Sequence, residues 1–550
     1  MRKRAVSLIV GVVLLTEAGC RVPNKQYRVQ LDKSVVTIPE PNIVPINQDV
    51  GWVLGMPHSQ WPLDISGAST VRVSEDYTVI SPPLITPDNK RTDPEMAFIE
   101  FDDLGDSWSK PNQKNEGTQL DWALGLIRAA KAASLKTGIP PLVMVYIHGW
   151  NHNAQDTSAK DEDQNVQGFK RVLLNLADQD KNQVVIGIYL SWRGELFRDE
   201  WPVSQALSGW NRESAATRVG SDGPVTDALL QIAHEARYKS DGTILTDSSQ
   251  RPILIYAGHS YGALILQRSL MGAWIAELDS RDSALLKSGI PPFADLTIFV
   301  NPASDANQTL PLLDLLAQKQ ILYQVDQPDS SGKTVPVDYP LFLSITSPAD
   351  DATRFLLPIG HFFPAMKAKW LDTSLRAPDP VSCYDPLRPP GQQVGILNTQ
   401  TEWDFSMTSA PHMEALQSHV LIEKQIDRKA KPEDIALAEK AISECRTRDY
   451  AGSDKSVFDT YALPGKCFVI EARQDRCNGT PYWIMDTNKD IIPAHSTIFT
   501  VRLIDLIEKF LPVVREGAAQ LEPELELVQP PTHGTGVFDR PSLRTTPTIR

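Results

Sequence analysis

The sequence predicts an α/β fold built on a mostly parallel sheet, and three observations predict it. From residue 96 onward, short apolar runs alternate with segments whose apolar residues recur every three or four positions. The runs are apolar at successive positions, as required of strands covered by helices on both faces. One run, 253–257, passes directly into Gly258-His259-Ser260-Tyr261-Gly262 and then into good helix formers, so strand, tight turn and helix follow one another without a linker.

In chain order, 97–101 is the first expected strand. Residues 117–136 have helical spacing, with Leu120, Leu124, Ile127 and Ala130 on one side. Buried strands are expected at 142–147, 184–190, 253–257, 296–300 and 341–346, and helices at 169–177, 225–237, 263–277 and 310–318. The rhythm breaks over 360–480, a late cap-like insertion that reads either as a cap or lid or as structural decoration. It resumes with a strand at 482–485 and a closing helix at 500–511. The expected organisation is a signal peptide at 1–19, a stalk and N-terminal extension at 20–95, an α/β domain at 96–515 containing the insertion, and a Glu- and Pro-rich disordered tail at 516–550.

Among the 550 residues, 54 Lys and Arg stand against 68 Asp and Glu, a net charge of −14 without basic clusters, which speaks against a nucleic-acid partner. Apolar residues at 41% and charged residues at 22% are ordinary for a globular chain. The 42 prolines predict long, stiffened connections.

The N-terminus carries an address. Arg2, Lys3 and Arg4 precede an apolar segment, 5–15, too short to span a bilayer of ~30 Å, which reads as a signal peptide. Thr16-Glu17-Ala18-Gly19-Cys20 resembles the bacterial lipoprotein cleavage box, departing from it at Glu17. The resemblance implies acylation at Cys20 and a place in the bacterial cell envelope, with Arg21 favouring the outer membrane. Four cysteines remain, Cys383, Cys445, Cys467 and Cys477, and in an oxidising compartment they suggest two disulfides with three possible connectivities. Their spacing matches no zinc-site pattern.

The chemistry centres on Gly258-His259-Ser260-Tyr261-Gly262, which matches G-x-S-x-G. A nucleophile there sits on a strained turn above the sheet edge, and Gly258 and Gly262 let strand and helix approach where a Cβ would clash. Upstream, His148-Gly149-Trp150 ends the run 142–147. His148 and His152 are four apart, but they follow a strand and lack a third ligand, so no metal is expected. Gly332-Lys333-Thr334 lacks the first P-loop glycine, with Gln327 in its place, and His234-Glu235 is followed by Tyr238 where a zinc motif needs histidine.

On these two motifs the chain resembles α/β-hydrolase-fold serine hydrolases of the esterase and lipase type, over about 96–512. The resemblance implies catalysis without cofactor by a triad in the order Ser, acid, His. Ser260 is then the nucleophile. The acid should follow a strand after it, and Asp350 is the first choice, ahead of Asp351 and Asp305. The histidine should sit between the last strand and the last helix, as His495 does, with Pro493 stiffening its loop; His361, His412 and His419 are the competitors. The N–H groups of Trp150 and Tyr261 would hold the oxyanion. Trp192 and Arg193 either line the acyl pocket or are structural. The implied substrate is a small-molecule or lipid ester. The alternatives are an acyltransferase or amidase on the same triad, and a non-catalytic surface lipoprotein using the scaffold to bind a partner.

Overall fold

A computed structural model describes most of residues 94–350, with short gaps, the segments 419–425, 466–472, 481–487 and 491–520, and Gln26 and Tyr27. Cys20 and the signal segment, Cys383, Cys445, Cys477, Asp351, His361 and His412 lie outside the described residues.

A nine-stranded sheet forms the centre. Its strands are β1 (Glu95–Glu100), β2 (Leu142–Ile147), β3 (Val185–Ser191), β4 (Ile253–His259), β6 (Leu296–Val300), β9 (Phe342–Thr346), β10 (His419–Gln425), β11 (Lys466–Ala472) and β12 (Tyr482–Asp486). They lie in the order β1-β3-β2-β4-β6-β9-β12-β10-β11. Every pairing is parallel except β10 with β11, and the expected α/β class with a mostly parallel sheet is what the chain adopts. A second sheet of three strands joins β5 (Leu285–Leu286), β7 (Leu322–Pro328) and β8 (Thr334–Asp338).

The helices are α1 (Gln119–Thr137), α2 (Gln164–Gln179), α3 (Pro202–Val219), α4 (Pro224–Arg237), α5 (Tyr261–Ser280), α6 (Ala306–Gln318) and α7 (Val501–Gln520). Strands β1, β2, β3, β4, β6 and β9 are buried at every residue, which is why their sequences are continuously apolar rather than alternating. Each fully buried Leu, Ile or Val among them contributes roughly 1.5–3 kcal/mol. Local chemistry sets the boundaries. Thr118 caps α1 by accepting from the Asp121 N–H, while the Asp121 carboxylate accepts from the Thr118 N–H, and Gly138 ends the helix at φ 68°. Pro224 opens α4 where no N–H is needed.

Several features differ from the sequence expectation. Helix α3 was not expected; among its described residues Arg212, Ala215, Ala216 and Val219 are buried. Helix α7 does not stop at 511, and the tail expected from 516 begins no earlier than the end of the helix at Gln520. Its apolar face, Leu503, Ile507, Phe510, Leu511 and Val514, continues past Pro512, so packing outweighs the one hydrogen bond the proline removes. Within the insertion, β10 and β11 lengthen the main sheet beyond β12.

Tyr27 lies well inside the segment expected to be a stalk. It packs against the core, and its N–H donates to Glu100 Oε2 at 2.8 Å. Among the described residues, no helix is long and apolar enough to cross a membrane.

Candidate active site

The C-terminal ends of β2, β4 and β9 and the loop after β12 meet at one edge of the sheet. Strand β4 ends at His259 and α5 begins at Tyr261, so one residue makes the whole turn. That residue, Ser260, has φ 54°, a conformation a non-glycine residue adopts only under constraint. The constraint is visible. The Ser260 N–H donates to Val300 O at 3.1 Å, and its carbonyl accepts from Ala263, Leu264 and Ala303. A Cβ on Gly262 would fall 2.1 Å from Ile147 O, and one on Gly258 would fall 2.7 Å from Ala263 Cα. Only glycine lets the helix start this close to both strands.

Ser260 Oγ donates to His495 Nε2 at 2.7 Å, and His495 Nδ1 donates to Asp350 Oδ2 at 2.8 Å. Asp350 is 1% exposed and Ser260 2% exposed, so the relay is shielded from water at both ends. His495 sits on a loop whose ends are pinned: Ser347 Oγ donates to Ile492 O, and Thr500 Oγ1 donates to Ile491 O. Pro493 is exposed on that loop. The structure thus brings together Ser260, Asp350 and His495, three residues singled out from the sequence. Of the competing histidines, His419 opens β10 at the far side of the sheet from β4.

The chain after β2 passes against the turn: a Cβ on Gly149 would fall 2.8 Å from the Ser260 Cβ. Trp150 follows it, half-buried against the core, and Tyr261 is the first residue of α5, where backbone N–H groups lack intrahelical acceptors. Tyr261 thus directly follows Ser260 in the chain, and Trp150 follows the glycine that packs against it.

His148 does not face solvent or a ligand. It is fully buried, and its Nε2 accepts from the Trp192 N–H at 3.2 Å and from Ser191 Oγ at 3.0 Å. Nδ1 therefore carries the proton and donates to Gly149 O at 2.9 Å. Burial pulls its pKa down to about 4, so the ring is neutral. Trp192 is buried and returns a bond from Nε1 to His148 O, while Arg193 pairs with Asp103. Trp192 thus supports the 148–150 segment, and Arg193 ties the end of β3 to the loop after β1.

Farther along the same loop, Asn165 Nδ2 donates to His152 Nε2 at 2.8 Å and His152 Nδ1 donates to Asp163 at 3.1 Å. Burial alone would raise the Asp163 carboxyl, but the hydrogen bonds it accepts from His152 and the Asn165 N–H help to outweigh it and hold the pKa below the usual range. Both nitrogens of His152 are thereby used. Among the described residues no group of three His, Cys, Asp or Glu could hold a metal ion.

Sequence reasoning passed over the role of His259 and the conformation of Asn301. Asn301 follows β6 at φ 42°, is 1% exposed, and bonds through its N–H to Ile345 O. Asparagine tolerates this region better than most residues, which is the one signal the sequence offered. No family model, curated protein or solved structure matches the chain.

Proposed function

We propose that the protein is a serine hydrolase of the α/β-hydrolase fold that cleaves carboxylic esters through an acyl-enzyme. One observation carries this reading: a serine on a strained strand-to-helix turn donates to a histidine that in turn donates to a buried carboxylate. The strand order β1-β3-β2-β4-β6-β9-β12, with the serine after the central β4, supports that fold assignment.

The chemistry follows from the atoms. As Ser260 Oγ bonds to the acyl carbonyl carbon, its proton passes to His495 Nε2. Asp350 keeps the His495 proton on Nδ1, leaving Nε2 free to accept, and stabilises the imidazolium that forms. The carbonyl oxygen becomes an oxyanion, received by the N–H groups of Trp150 and Tyr261, each such donor being typically worth ~10²–10³ in rate. His495 then gives its proton to the leaving alcohol. Water, deprotonated by the same nitrogen, releases the acid and restores Ser260. No cofactor takes part. With Cys20 acylated, the enzyme would work at a membrane of the cell envelope, on a small-molecule or lipid ester.

The test is labelling with a fluorophosphonate probe. Wild type is expected to label and Ser260→Ala is not. Equal labelling of both, or none in folded wild type, overturns the assignment.

A further inference from the structure

His259 stands beside the nucleophile but is not part of the relay, and it is 1% exposed. Its Nε2 lies 2.7 Å from the carbonyl oxygen of His495, so Nε2 carries a proton and donates it there. Its Nδ1 is buried without a hydrogen-bond partner. A second proton on this ring would have no acceptor. Burial and the neighbouring His495 push the His259 pKa well below the ordinary value, in keeping with a permanently neutral ring.

The loop that receives this bond needs it. Residues 493, 494, 496 and 497 are exposed, while Ile492 and Ile498 on either side are buried. The Thr497 N–H turns back to Ala494 O within the loop itself. Among the described residues, the His259 bond is the one hydrogen bond that ties the backbone of 493–497 to the rest of the domain. The same ring packs against the other side of the site: a Cβ on Gly149 would fall 2.9 Å from His259 Nδ1. One imidazole thus touches both the segment that carries Trp150 and the loop that carries His495, and it is covalently next to Ser260.

We propose that His259 is a positioning residue: as a neutral donor, it fixes the backbone of the His495 loop relative to Ser260 and the Gly149–Trp150 segment. This inference rests on the hydrolase reading for its catalytic meaning. A relay atom misplaced by 1 Å costs about 100-fold in rate.

The experiment compares wild type, His259→Phe, which keeps ring volume without the donor, and His259→Gln, whose terminal N–H reaches the place of Nε2. Two readouts are needed. Hydrogen–deuterium exchange over 491–500 is expected to speed about fivefold in the Phe variant, the factor set by one ordinary hydrogen bond, and to stay near wild type in the Gln variant. The fluorophosphonate labelling rate is expected to fall about 100-fold in the Phe variant and to recover to within about fivefold in the Gln variant. If the Phe variant does not fold, His259→Leu carries the same comparison. Wild-type exchange in the donor-free variant, or a Gln variant as impaired as the Phe variant, overturns the clamp. Absence of labelling in wild type overturns the hydrolase reading instead, and exchange alone then judges the clamp.

Discussion

Helix α5 contains two glycines at which the same substitution should have opposite effects. At Gly262, in its first turn, an added Cβ would lie 2.1 Å from Ile147 O, 2.5 Å from His148 O and 2.7 Å from Ile147 C. All three are backbone atoms of the neighbouring strand and its exit, so no side chain can rotate away. Relieving the contact means moving the helix start or the end of β2 by more than ~1 Å, a displacement that costs a reacting pair about 100-fold in rate. Overpacking of this kind costs about 3 kcal/mol of stability. At Gly272, in the exposed middle of α5, a Cβ would meet nothing within 4 Å. There the methyl only restricts the unfolded chain, and Gly272→Ala should stabilise by about 1 kcal/mol, raising Tm by roughly 1–2 °C in a domain of this size. The assay pairs thermal melts with ester hydrolysis or probe labelling for both variants. The reasoning is refuted if Gly262→Ala keeps wild-type activity and Tm, or if Gly272→Ala melts lower than wild type.

Asp350→Asn removes the charge that holds the His495 tautomer, and kcat should fall by about 10⁴-fold while circular dichroism stays unchanged. Arg237 and Asp295 form an ion pair at 2.7 Å with side chains 2% exposed, away from the site at the start of β6. Arg237→Met leaves Asp295 uncompensated and should cost about 3–5 kcal/mol in urea denaturation, with the remaining folded fraction fully active. Acid should destabilise the fold through its buried histidines. Below pH 6.5 the unfolded chain takes up a proton at His148 that the folded chain, with its pKa at about 4, refuses. Stability is therefore full above pH 6.5 and falls as the pH drops toward 4, by about 2 kcal/mol between pH 7 and pH 5. His259 adds in the same direction. Urea midpoints at the two pH values check this, and His148→Gln should flatten the difference.

The strands of the central sheet were legible because burial on both faces makes them continuously apolar; 142–147 and 296–300 match the observed strands at both ends. Ser260 was legible from its strand, glycines and helix, and Asp350 and His495 from the order of residues that the resemblance to α/β hydrolases implies. What escaped follows a pattern. Helix α3 buries Arg212 against Asp103, a charge pair invisible to apolar periodicity. Strands β7 and β8 carry Gln, Asp and Pro, which weaken the strand signal. The His259 bond escaped because its acceptor is a backbone carbonyl 236 residues away, and no residue type marks a carbonyl. A third readout came from Trp192, whose aromatic side chain suggested a pocket wall while its indole N–H had already found the His148 carbonyl.

The histidine lies 235 positions after the serine it serves and 145 after the carboxylate that orients it. A chain emerging from its N-terminus acquires the turn at Ser260 long before it acquires a base. Strand β12 must first dock beside β9, and the segment after it must fold back across four strand ends. Until that moment the serine is an ordinary alcohol. On the proposed reading reactivity is therefore a late event, withheld from truncated or wrongly paired chains. Under that reading, a chain assembled in this order gains an activated nucleophile only once its central sheet is complete.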